Sequence, residues 1–112
     1  MNTIPERDWK YLRSINDELL QRFCEKANQK SIFILHNPSL DSYERYKQLF
    51  NHVEDSDERL ARCFDDWRRS TIITRLLMII KESLLSDIEF HNLSSETQKW
   101  IISSRKLMDG DK

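Results

Sequence analysis

Between Leu60 and Leu85 the chain carries neither glycine nor proline, and its character changes midway. The first half is amphipathic, with Leu60, Cys63, Phe64 and Trp67 set among charges. The second is almost wholly apolar at Ile72, Ile73, Leu76, Leu77, Met78, Ile79 and Ile80. Leu, Met, Arg and Lys are strong helix formers, so the stretch reads as one long central helix. At about 100° per residue, Ile73, Leu77, Ile80 and Leu84 share one face while Ile72, Leu76 and Ile79 share another. A single partner helix cannot hide both faces, so the stretch demands a bundle around it or a second subunit.

One Gly and two Pro in 112 residues leave too few turn formers for an all-β chain. The length suits one domain over 1–112, with a core that needs neither metal nor disulfide. Charged residues make up 33% of the chain but the net charge is only −1, a balance that argues against a general polyanion binder. Cys24 and Cys63 belong to no CxxC pair and sit among apolar neighbours, as small buried hydrophobes do. Met1 to Arg13 lacks the apolar run of a secretory signal. The run around Met78, interrupted by Arg75, falls short of the roughly 20 residues that span a bilayer. A soluble, cytoplasmic protein with reduced thiols is the expectation.

In chain order, Thr3 offers a capping hydroxyl ahead of Pro5 and Glu6, and a long helix should follow. Trp9, Leu12, Ile15, Leu19, Phe23 and Ala27 recur on its core face, and Ser31 to Leu35 read as its end. His36, Asn37, Pro38 and Ser39 mark a tight reversal into an antiparallel neighbour, capped by Ser39 or Asp41. In that second helix Tyr43, Tyr46, Phe50 and Val53 form a narrow stripe. Asp55 with Glu58 resembles a capping box, and we expect a break or bend there. Continuity is the rival, because Tyr43, Tyr46, Phe50, Val53, Asp57, Leu60, Phe64 and Trp67 alternate three- and four-residue steps without a slip. Ser86 to Glu89 repeats the Ser-x-x-Glu start. Ser94 should cap a last helix docked by Trp100, Ile101 and Leu107, with Met108 to Lys112 frayed.

The candidate functional residues gather where charge changes sign, at Asp65, Asp66, Trp67, Arg68 and Arg69. From Glu54 to Asp66 there are six acids and two bases; from Arg68 to Lys81 there are four bases. Trp and Arg are favoured at the energetic centres of interfaces, so these five residues with Ile72, Leu76 and Ile79 are the candidate interface. The plainer reading is a core Trp flanked by Asp65 to Arg69 pairs one helical turn apart. A nucleic-acid regulator using Arg68, Arg69, Arg75 and Lys81 is a weaker alternative, because the four do not share a face. Another is a pocket for a small apolar ligand among Trp9, Tyr11, Phe33, Tyr43, Tyr46 and Phe50, although aromatics at helical spacing usually form core.

His36, His52 and His91 each stand alone, and the acids at Glu54 to Glu58 lack the glycine and alternating ligands of a calcium loop. No cofactor, metal or catalytic group is expected. The expectation is an all-α protein: a small helical bundle with a long N-terminal helix, a long central helix and a short C-terminal helix folding back. Its role would be that of a non-enzymatic interaction or regulatory module, self-associating as a homodimer or binding another protein.

Overall fold

The computed structural model describes residues 1 and 3–109, and every regular element in it is helical: α1 (Glu6–Leu35), α2 (Ser42–Phe64), α3 (Ile72–Lys81), α4 (Asp87–His91) and α5 (Ser95–Asp109). The fraying expected over Met108 to Lys112 is not met at Met108 and Asp109, which continue α5, and residues 110–112 lie outside the described residues. Among the described residues no helix is long and apolar enough to cross a membrane.

Pro5, not Thr3, occupies the N-cap of α1, with no side-chain cap bond. The helix then runs unbroken through the apolar Ile32 to Leu35 end. Asn37 and Pro38 turn the chain, and the Asp41 carboxylate accepts from the Glu44 backbone N–H while Glu44 reaches back, a full capping box. The two helices pack antiparallel: Arg45 donates to the Asn37 carbonyl, His52 Nε2 lies 2.9 Å from the Ala27 carbonyl, and Phe64 meets the Phe23 ring edge-on.

The break expected at Glu54 to Glu58 is absent, and α2 passes straight through it. His52 and Ser56 are buried against α1 across that segment, and Asp55 pairs with Arg59 one turn on instead of capping a new helix. The break falls instead at 65–71, inside the stretch read as one central helix. Asp65 turns extended and Asp66 takes a positive φ of 55°, a conformation that a short polar side chain tolerates better than most. Thr71 Oγ1 donates to the Asp66 carbonyl and accepts from the Arg68 N–H, so local polar groups replace the helical ladder.

That corner makes α3 a ten-residue helix, short enough for its own chain to enclose. Ile72, Leu76 and Ile79 have no exposed surface. They join a core drawing Leu12, Leu19 and Phe23 from α1, Cys63 from α2 and Ile101 from α5. Ile73, Leu77, Met78 and Ile80 are half-buried, so no apolar side chain of α3 stands exposed. The expectation of a surplus apolar face on this segment is therefore corrected. The α3 end closes in a Schellman arrangement, Ser83 N–H to the Ile80 carbonyl and Leu84 N–H to Ile79, with Ser83 at φ 59° where glycine is usual.

Polar clamps fix the remaining helices to α1. The Arg22 guanidinium grips both oxygens of Glu89 at 2.5 and 2.9 Å, and Glu89 also completes a capping box with Ser86 at the start of α4. Hydrogen bonding from Arg22 holds the Glu89 carboxyl below the usual carboxylate range, against the opposing effect of burial, and Arg22 is raised in turn. A lowered folded-state pKa contributes stability that is present above the unfolded value near 4.3 and is lost as pH falls through the folded one. Glu89→Gln, which keeps the capping geometry, is expected to cost about 2 kcal/mol at pH 7. The gap from wild type should narrow markedly at pH 3 in urea unfolding; an equal gap at both pH values would contradict the assignment.

The later helices cover only part of the α1–α2 hairpin. On α1 the last polar tie to them is Lys26, which donates to the Glu82 and Ser83 carbonyls; on α2 the first is Arg59, paired with Glu82. Among the described residues, no hydrogen bond or ion pair links the hairpin beyond those residues to the later part of the chain. The molecule measures 51 × 33 × 24 Å with a radius of gyration of 16.6 Å. A compact 100-residue domain has about 13 Å.

Candidate functional site

Most of the exposed large hydrophobic residues among the described ones lie on the α1–α2 hairpin: Ile32, Phe33 and Leu35 on α1, and Tyr43, Tyr46, Phe50 and Val53 on α2. Tyr43 (72% exposed), Tyr46 (67%), Phe50 (49%) and Val53 (53%) lie along one flank of α2 at steps of three, four and three residues. The helix forms this way because its opposite requirement, packing on α1, is met by other positions. Leu49 is half-buried, while His52, Ser56 and Cys63 are buried. At 100° per residue, the aromatic stripe lies about a quarter to a third of a turn away from that packed face. Ile32 and Leu35, at the end of α1, are also about half exposed.

The stripe continues into a shallow groove between α1 and α2. Its volume is about 180 Å³, and its lining includes Cys24, Ala27, Ser31, Val53, Asp57 and Leu60. Lys47 and Glu54 flank the stripe; both are exposed, and neither joins an intrachain ion pair among the described residues. Asp57 is exposed on the stripe itself as its one charged position.

The residues singled out from the sequence divide between core and corner. Ile72, Leu76 and Ile79 have nothing left to present to a partner. Trp67 is half-buried, donating Nε1–H to the Cys63 carbonyl at 2.7 Å and stacking on Phe64 (14° between planes) beside Trp9. The Asp65 to Arg69 pair does not form, because the helix has ended. Asp66 instead takes Arg68 at 2.6 Å, and Arg69 donates to the Ile4 carbonyl. Arg75 donates to the Asp65 and Arg62 carbonyls, satisfying the open end of α2. The three arginines proposed as phosphate contacts thus serve as clamps of the α2–α3 corner.

The aromatic pocket is not formed either. Tyr11 takes a hydrogen bond from Asn92, Trp9 lies against Trp67, and Phe33, Tyr43 and Tyr46 face solvent, so the set does not converge. Leu107, expected to dock α5, is 77% exposed, while Ile101 is buried and Trp100 half-buried. A cavity of about 430 Å³ opens among Ile80, Leu85, Phe90, His91, Ile101 and Arg105. Its polar lining mixes Asp87 with Arg105, and among the described residues no buried side-chain polar atom lacks a partner. Nor, among the described residues, do three His, Cys, Asp or Glu side chains come together there or elsewhere in an arrangement that could hold a metal ion. Burial pushes the Cys63 thiol up to about 11, which keeps it protonated and unreactive at neutral pH.

Two features of consequence escaped the sequence reading. Asp8 is wholly buried and binds Ser94 and Thr97 at the start of α5, a partnership across 86 residues that leaves no local trace. The exposure of the Tyr43 to Val53 stripe was also missed, although its regular three- and four-residue spacing was visible. Comparisons of the chain with family models, curated proteins and solved structures find no match.

Proposed function

We propose that this protein is a non-enzymatic interaction module that self-associates through the outer flank of α2. The observation that carries the reading is the contiguous row of Tyr43, Tyr46, Phe50 and Val53, about half exposed or more, on a helix whose other face is already packed. Contiguous exposed apolar area of this kind, rimmed by charge, marks a surface that meets another protein. Aromatic side chains contribute much of the energy at such surfaces. The long hairpin offers two rigid helices as a platform, and burial of the row stabilises association by about 25 cal/mol per Å² of apolar area before the cost of immobilisation.

Nitration by tetranitromethane tests this directly, because the chain has three tyrosines and two lie in the row. Modification of Tyr43 and Tyr46 is expected to slow severalfold between about 1 and 100 μM protein, as mass action fills the dimer. Tyr11, on α1 and hydrogen-bonded to Asn92, should keep one rate throughout. Equal rates for Tyr43 and Tyr46 at both concentrations would remove the proposal.

A further inference from the structure

Resting on the reading that the α2 flank self-associates, we infer that two copies pair their α2 helices antiparallel in one register, with Phe50 against the partner's Val53. The charge distribution selects the direction. Along α2, Asp55 and Glu58 pair with Arg59 and Arg62 of the same helix and Arg45 is turned to the Asn37 carbonyl, so the charges left on or beside the stripe are Lys47 in its first part and Glu54 and Asp57 in its second. A parallel pair would set the acidic segments side by side. An antiparallel pair sets each against the partner's Lys47.

The stripe then selects the register. Steps of three and four keep Tyr43, Tyr46, Phe50, Val53, Asp57 and Leu60 on one seam, as in the a and d positions of a heptad. With Phe50 opposite the partner's Val53, Tyr43 meets the partner's Leu60, and Tyr46 meets the partner's Asp57. The Tyr46 hydroxyl is then a donor for the one carboxylate on the seam, a polar contact of the kind that fixes register. Lys47 and Glu54, both one position past a seam residue, fall beside each other across the two-fold axis. Lys47 pairs with the partner's Glu54, and Glu54 with the partner's Lys47.

Charge reversal separates the register from the association itself. By sedimentation velocity, Lys47→Glu alone and Glu54→Lys alone are each expected to weaken self-association about tenfold, since each turns two attractive contacts into two repulsive ones. The Lys47→Glu, Glu54→Lys double variant should recover wild-type affinity. An equimolar mixture of the two single variants should associate more tightly than either alone. Wild-type protein that self-associates while all variants and the mixture behave identically would overturn the register and leave the α2 interface standing. A wild-type chain that stays monomeric at every concentration would overturn both.

Discussion

Asp8→Ala is expected to lower the thermal midpoint by about 13 °C, the equivalent of about 3 kcal/mol in a chain this size. Asp8 sits in the first turn of α1 with no exposed surface. It accepts from the Ser94 backbone N–H at 2.9 Å, the Ser94 hydroxyl at 2.6 Å and the Thr97 hydroxyl at 2.5 Å. Its carboxylate therefore lies at the amino end of α5, where the helix dipole and the open N–H groups favour negative charge. Truncation leaves the part-buried Ser94 N–H and hydroxyl and the buried Thr97 hydroxyl without the carboxylate that accepts from them. Calorimetry checks the value, and a double-mutant cycle checks the cause. In a Ser94→Ala, Thr97→Val background the same substitution should cost much less, because its partners are already gone. A loss below about 1 kcal/mol in the wild-type background would contradict the clamp.

Phe50→Asp is expected to act in the opposite way, abolishing association while sparing the monomer. Phe50 is 49% exposed and away from the face packed on α1, and Phe and Asp have similar helix propensities. Monomer stability should therefore move by less than about 1 kcal/mol. In the antiparallel pair, Phe50 lies next to the two-fold axis, so one substitution places two carboxylates in the centre of the interface. Weakening of about 100-fold or more is expected, as for other central aromatic anchors. Thermal unfolding at submicromolar concentration and a dilution series separate the two effects. A large fall in monomer stability would reassign Phe50 to the core.

Where the fold is dictated locally, it was legible in the residues. Pro38 ends α1, one of the two offered caps, Asp41, opens α2, and Ser86 with Glu89 opens α4, because each signal acts within one turn of chain. The corner at 65–71 was not legible, since no glycine or proline announces it. It depends on Asp66 accepting a positive φ and on Arg75, ten residues past Asp65, holding the last α2 carbonyls. The acids at Asp55 to Glu58 misled for the converse reason. A capping pattern is local, but His52 and Ser56 buried on α1 decide the matter through tertiary packing.

The candidate surface moved for the same physical reason. Apolar density around Ile72 to Ile80 suggested too little cover, yet in a ten-residue helix folded back by the corner Ile72, Leu76 and Ile79 are fully buried and the remaining apolar side chains half-buried within its own chain. Tyr43, Tyr46, Phe50 and Val53 look like core by periodicity. They stand uncovered because, among the described residues, the polar ties from the later part of the chain reach the hairpin only as far as Lys26 and Arg59. Spacing reports that a face is apolar; only the reach of the neighbouring helices reports whether the monomer covers it.

Sedimentation equilibrium of the wild-type chain at about 1 to 100 μM tests the central assignment most directly. The expected result is a mass rising from the monomer's 13.6 kDa towards twice that value, with the Phe50→Asp chain held at 13.6 kDa throughout. A wild-type mass fixed at 13.6 kDa across the whole range would contradict it.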